Sequence, residues 1–125
     1  MNVRVGRYLI YGLIDPRNRY LHYIGKTHKR REIRLAEHIV QALENDQRPV
    51  YHWIRELLVD NLNPEIFVWK KINPDVSWRN EERKAIDFWK NVTEEELPYT
   101  HPPQTKKSHF ILIKGVTLLN VTRGG

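Results

Sequence analysis

The chain of 125 residues has no cysteine, a single methionine and no apolar run approaching the roughly 20 residues that a membrane helix needs. Without cysteine there is neither a disulfide framework nor a thiolate zinc site. The missing apolar run leaves a membrane role without support. Met1-Asn-Val-Arg-Val-Gly does not open the apolar core of a signal peptide, so the sequence reads as a soluble intracellular protein, cytoplasmic or nucleoid-associated. Acidic residues are also in short supply: 21 Lys and Arg stand against 15 Asp and Glu, a formal net charge of +6. Such a balance favours a polyanionic partner, because lysines and arginines that meet phosphates release counterions.

The length suits one domain, 1–125, with room for a core but not for a second module. Arg7 to Ile14 is rich in Tyr, Leu and Ile and stops at Asp15-Pro16-Arg17-Asn18, a turn signal. A short strand from Tyr20 to Ile24 should return antiparallel, with Gly25 closing it. From about Lys29 to Glu44, apolar residues at Ile33, Ala36, Ile39, Val40 and Leu43 have the spacing of one helical face. Pro49 opens a second helix with a buried stripe of Val50, Trp53, Ile54, Leu57 and Leu58. Glu65 to Trp69 reads as a third strand. Ser77 caps a third helix, Trp78 to about Lys90, that turns Ala85, Ile86 and Trp89 inward. The expectation is an α/β (α+β) fold, an antiparallel three-stranded sheet flanked by helices in the order β-β-α-α-β-α. Residues 93–117 show no sustained period and read as an irregular insertion, with a short edge strand at Phe110 to Ile113. Val116 to Asn120 reads as a return segment.

Within this frame, Leu9-Ile10-Tyr11-Gly12 is followed by Tyr23-Ile24-Gly25-Lys26-Thr27, then by Arg34 one helical turn before His38, then by Glu82 ahead of Ala85-Ile86, and finally by Leu118-Leu-Asn120 and Gly124-Gly125. This series, in this order, resembles the GIY-YIG nuclease family over almost the whole chain, and Trp53 through Glu65 is similar to its small phage and mobile-element members. One departure is plain: the glycine expected before Ile10 is a leucine, and a glycine follows Tyr11 instead.

The resemblance implies a metal-dependent DNA endonuclease working by a one-metal, tyrosine-assisted hydrolysis, and each residue type suits a task in that reaction. Glu82 would hold one Mg²⁺ (or Mn²⁺), an ion that prefers oxygen ligands and keeps several waters, so one carboxylate with the substrate phosphate suffices. Glu81 beside it is the alternative ligand. Arg34 offers a planar, permanently charged fork for two phosphate oxygens. Tyr11 is the preferred general base and Tyr23 the residue that orients water or phosphate; since a free phenol has a pKa of about 10, cations must favour the phenolate. Lys26, Arg34 and the metal would supply them. His38 shares a helix face with Arg34 and suits phosphate binding or proton relay. Asn120 would bond a tyrosine or the phosphate, and Gly25 would serve the turn and let backbone approach the phosphate. Lys26, Lys29, Arg30 and Arg31 would track phosphates without base specificity.

Each residue also has a plainer reading when taken alone. A strand tyrosine is usually packing, a basic run a solvated face, and a glutamate early in a helix a support for its dipole. His22, His28, His52, His101 and His109 have no metal-ligand spacing, and Trp53, Trp69, Trp78 and Trp89 fall at apolar positions. The competing class is a catalytically inactive nucleic-acid-binding module of the same fold. The substrate, duplex or branched DNA or RNA, stays open, as does a homodimer against a partner protein that supplies specificity.

Overall fold

The computed structural model of the chain describes residues 7–73, 77–101 and 111–120. It is a mixed α+β fold. Strand β1 (Tyr8–Asp15) turns into β2 (Tyr20–Thr27), followed by helices α1 (Arg31–Leu43) and α2 (Pro49–Val59), strand β3 (Glu65–Ile72) and helix α3 (Trp78–Lys90). A 3₁₀ turn (Glu94–Glu96), β4 (Tyr99–His101), β5 (Ile111–Ile113) and β6 (Gly115–Val116) complete it.

The sheet corrects one expectation. It has four strands, not three, in the order β3-β1-β2-β6, and it is mixed: β1 runs antiparallel to β2 and β3, but β6 lies parallel to β2. Residues 93–117, read as irregular, contain among their described members the 3₁₀ turn, the β4–β5 ribbon and β6. The short edge strand expected at Phe110 to Ile113 is found as β5, whereas β4 and β6, three and two residues long, are too short to show a period and are identified only by their pairing. Val121 to Gly125, the end of the closing motif, lie outside the described residues.

β1 is the central strand, and Ile10 to Asp15 are all buried because side chains on both of its faces meet packed elements. Ile10 and Ile14 join Phe67, Ala85, Trp89 and Ile113 under α3, whereas Tyr11 and Leu13 face α1 and α2, among Ala42, Tyr51, Trp53, Ile54 and Leu57. Gly12, the glycine after the tyrosine, serves the first cluster: a Cβ there would stand 2.4 Å from Phe67 Cε1. The register against β3 shifts between Ile10 and Tyr11. That irregularity puts a local bend at the residue that matters most below.

Helix ends follow local chemistry. Asn45 and Asn61 stand just beyond α1 and α2 at φ 67° and 59°, a conformation asparagine tolerates better than most residues. The Asn61 and Leu62 amides donate back to the Leu58 and Leu57 carbonyls, closing α2. α2 buries Val50, Trp53, Ile54 and Leu57 of its expected stripe, with Tyr51 added and Leu58 half-buried. α1 does not bury the face expected of it: Ile33, Val40 and Leu43 are exposed, and His38 and Ala42 are the buried positions. The reason lies in the site that His38 helps to build.

Candidate active site

The site grows from the middle of the sheet. Tyr11 on β1 is fully buried, and its hydroxyl meets two α1 side chains: Arg34 Nε donates to Tyr11 Oη at 3.0 Å, and Tyr11 Oη lies 2.6 Å from His38 Nε2. His38, also without exposed surface, places Nδ1 3.0 Å from the Tyr51 hydroxyl of α2. Either neutral tautomer of His38 fits the two ring contacts, but only one also gives the buried Tyr11 proton an acceptor. Arg34 donates to Tyr11, Tyr11 donates to a bare His38 Nε2, and His38 Nδ1–H donates to Tyr51. That requires a neutral imidazole, which burial and the neighbouring Arg34 charge enforce by lowering its pKa from 6.5 to about 3. Three polar side chains are thus buried with their bonds made. For that reason α1 turns its polar Arg34–His38 face inward and leaves an apolar stripe outside.

The sequence reading gave the general-base role to Tyr11, on the expectation that cations would favour its phenolate. Burial instead drives its pKa far above the ordinary phenol value, with Tyr23 adding to the rise, and this outweighs the lowering by Arg34. A phenol with no accessible surface and a committed proton is poorly suited to meeting water in this conformation. Tyr23 differs: its ring lies 6.2 Å from that of Tyr11 and 5.4 Å from that of His38, it is half-buried, and its hydroxyl has no hydrogen bond among the described residues. Burial raises its pKa too, followed by Tyr51; Arg34 lowers it and Glu82 raises it.

Gly25 is explained by the two rings. A Cβ there would stand 2.6 Å from Tyr11 Oη and 2.8 Å from Tyr23 Cε2, so the absent side chain is the space in which both phenols sit.

Glu82 and Glu81 separate clearly. Glu81 is paired with Lys84 at 3.2 Å and Lys70 at 3.8 Å, whereas Glu82 is half-buried and has neither a hydrogen bond nor an ion pair among the described residues. Burial raises the Glu82 pKa, and Lys26 works against the rise. An unpaired, partly desolvated carboxylate is what a hard cation would neutralise. Among the described residues no group of three or more His, Asp or Glu side chains gathers for a metal, so Glu82 would supply one ligand and leave the rest to water and phosphate.

The basic residues are less free than their number implied. Lys29 and Arg34 both pair with Glu37, Arg34 Nη1 at 3.1 Å, and Arg30 and Arg31 lie 3.7 and 3.4 Å from Glu32. With Nε on Tyr11 and Nη1 on Glu37, Arg34 keeps Nη2 as its uncommitted corner among the described residues. Lys26 rests its ammonium 3.9 Å from the Trp78 ring centre.

Asn120, expected to bond a tyrosine or the phosphate, spends its amide on backbone. Its Oδ1 accepts from the Ile24 amide at 3.0 Å and its Nδ2 donates to the Ile24 carbonyl at 2.7 Å, so it extends the edge of β2 between Tyr23 and Gly25 without touching a phenol. Tyr51 is the residue sequence reasoning missed. Its only signal was a hydroxyl-bearing aromatic beside Val50, next to a stripe with no other hydroxyl.

A second polar cluster braces the turn. The buried Asp15 carboxylate accepts from the Arg17 amide at 2.8 Å, from Arg17 Nη2 at 2.8 Å and from Trp53 Nε1 at 3.0 Å. No helix among the described residues is long and apolar enough to cross a membrane. Compared with protein-family models, curated proteins and solved structures, the chain matches none of them.

Proposed function

We propose that the protein is a metal-dependent phosphodiesterase acting on DNA, an endonuclease of the GIY-YIG kind. The observation that carries the proposal is the grouping of Tyr23 and Arg34 around the Tyr11–His38–Tyr51 chain, with the unpaired Glu82 carboxylate near enough to raise the Tyr23 pKa. Hydrolysis needs a positioned water and donors aimed at charge building on the phosphoryl oxygens. Tyr23 is the phenol that meets the water, in place of Tyr11, because its hydroxyl is unengaged. Arg34 receives the phosphate through Nη2, and through Nη1 once Glu37 is displaced. Tyr11 and His38 are positioning residues without exposed surface: Tyr11 holds Arg34 by its Nε, and His38 holds Tyr11. Glu82 would hold Mg²⁺ or Mn²⁺, which when bound neutralises charge at the scissile phosphate and offsets the carboxylate that raises Tyr23. Lys26 is the cation at this edge, shared between the Trp78 ring and the Glu82 field.

The test is nicking of supercoiled plasmid with Mg²⁺, Mn²⁺ or EDTA. The wild type should nick in either metal, and Glu82→Ala or Arg34→Ala should each lower the rate by a factor on the order of 100 or more. DNA binding that falls steeply with salt, without nicking of plasmid or branched DNA in any metal, would overturn the enzyme and leave the inactive binding module.

A further inference from the structure

Helix α1 shows solvent the face that its sequence would bury. Ile33, Val40 and Leu43 are 48%, 53% and 69% exposed, and Ala36 between them is exposed as well. Single exposed aliphatics are ordinary, but these four follow one another at intervals of three, four and three residues, the narrow seam by which two helices pack along their length. We propose that a second copy of this chain covers the seam, with the two α1 helices antiparallel about a twofold axis.

Shape and charge both select this occupant. In the antiparallel register that sets Ile33 against the partner's Leu43, Ala36 meets the partner's Val40, so a small residue faces a branched one at the centre and two large ones meet at each end. The same register brings the basic start of α1, where Arg30 flanks the seam, to the partner's Glu44. Arg30 has only a 3.7 Å contact to Glu32, and Glu44 has no ion pair among the described residues. The helix dipoles oppose one another, which is favourable. One adverse contact arises near the axis, Glu37 against the partner's Glu37, but Lys29 and Arg34 of the same chain already neutralise that carboxylate. His38 lies on the buried face of the helix, so closing the seam leaves the Tyr11–His38–Tyr51 chain untouched.

Four side chains per helix bury less than the roughly 800 Å² per partner of a standard stable interface. The dimer is therefore weak, and its population rises with concentration. The proposal does not depend on the nuclease reading, although two copies would carry two cutting sites.

Sedimentation of the full chain without DNA, at low salt over roughly two decades of concentration, tests it. The average mass should climb from 15.1 kDa towards twice that value. Val40→Lys should stay monomeric, Arg30→Glu and Glu44→Arg should each weaken association several-fold, and the two together should restore it. All three substituted positions are on the surface, so circular dichroism should be unchanged. A wild type that remains monomeric overturns the proposal and leaves the stripe to a different protein. A dimer indifferent to Val40→Lys and to the charge exchange overturns it equally, because another face would then be in use.

Discussion

His38 should carry no charge from neutral pH down to about pH 4, and stability should record it. The imidazole is fully buried, and its pKa falls from 6.5 in the unfolded chain to about 3 in the folded one. Between those values the unfolded chain binds a proton that the folded chain refuses, so unfolding becomes easier as pH drops. The contribution is complete above about pH 6.5 and erodes by about 1.4 kcal/mol per pH unit below it. From pH 7.5 to pH 4.5 the loss amounts to about 2.7 kcal/mol. Urea unfolding at several pH values, on the wild type and on His38→Gln, isolates this term, because the carboxylates and the other histidines are common to both proteins. Over that range the wild type should lose about 2 to 3 kcal/mol more than the variant. Nitrogen NMR of the wild-type ring adds a direct view, with Nδ1–H, a bare Nε2 and no titration above pH 5. Equal pH slopes in the two proteins, or an imidazole midpoint near 6.5, would refute the proton arrangement and with it the argument that Tyr11 spends its proton on His38.

Three further outcomes follow from the same contacts. Tyr11→Phe leaves His38 Nε2 buried without a donor and frees Arg34 Nε, so thermal unfolding should show a loss of about 1 to 3 kcal/mol; if the midpoint does not move, the hydroxyl is not the link between β1 and α1. Gly25→Ala places a methyl against both phenol rings and should cost about 1 to 3 kcal/mol by overpacking, with the Tyr11 and Tyr23 ring resonances displaced; an alanine variant as stable as wild type with unshifted rings would contradict the packing described. Asn120→Ala removes both bonds to the Ile24 backbone and should speed hydrogen exchange of the Ile24 amide tenfold or more, on the basis of about 1.4 kcal/mol per decade. Unchanged exchange there would place the edge support elsewhere.

Much of the element order was legible because long elements carry long signals. The α2 stripe and the third helix fall where the apolar periods put them, β1 lies one residue later than expected, and β2 and β3 each run three residues past the expected strands. β6 was not legible, since two residues have no period, and neither were the bonds of Asn120 to the Ile24 backbone, a partner no side-chain pattern announces. Tyr51 entered the site from a helix that looked wholly structural.

The residue types at the site, and the order in which they occur, come from the sequence alone: two tyrosines, an arginine and histidine one helical turn apart, and a late glutamate. Which of them face water was settled only by tertiary packing. α1 has two faces that could be buried, and the larger apolar one lost because Tyr11 and Tyr51 satisfy His38 on both ring nitrogens while the sheet covers it. That choice buried Tyr11, left Tyr23 unengaged and put Ile33, Val40 and Leu43 outside. Local periodicity counts apolar residues, but it cannot count hydrogen bonds to partners that come from other elements.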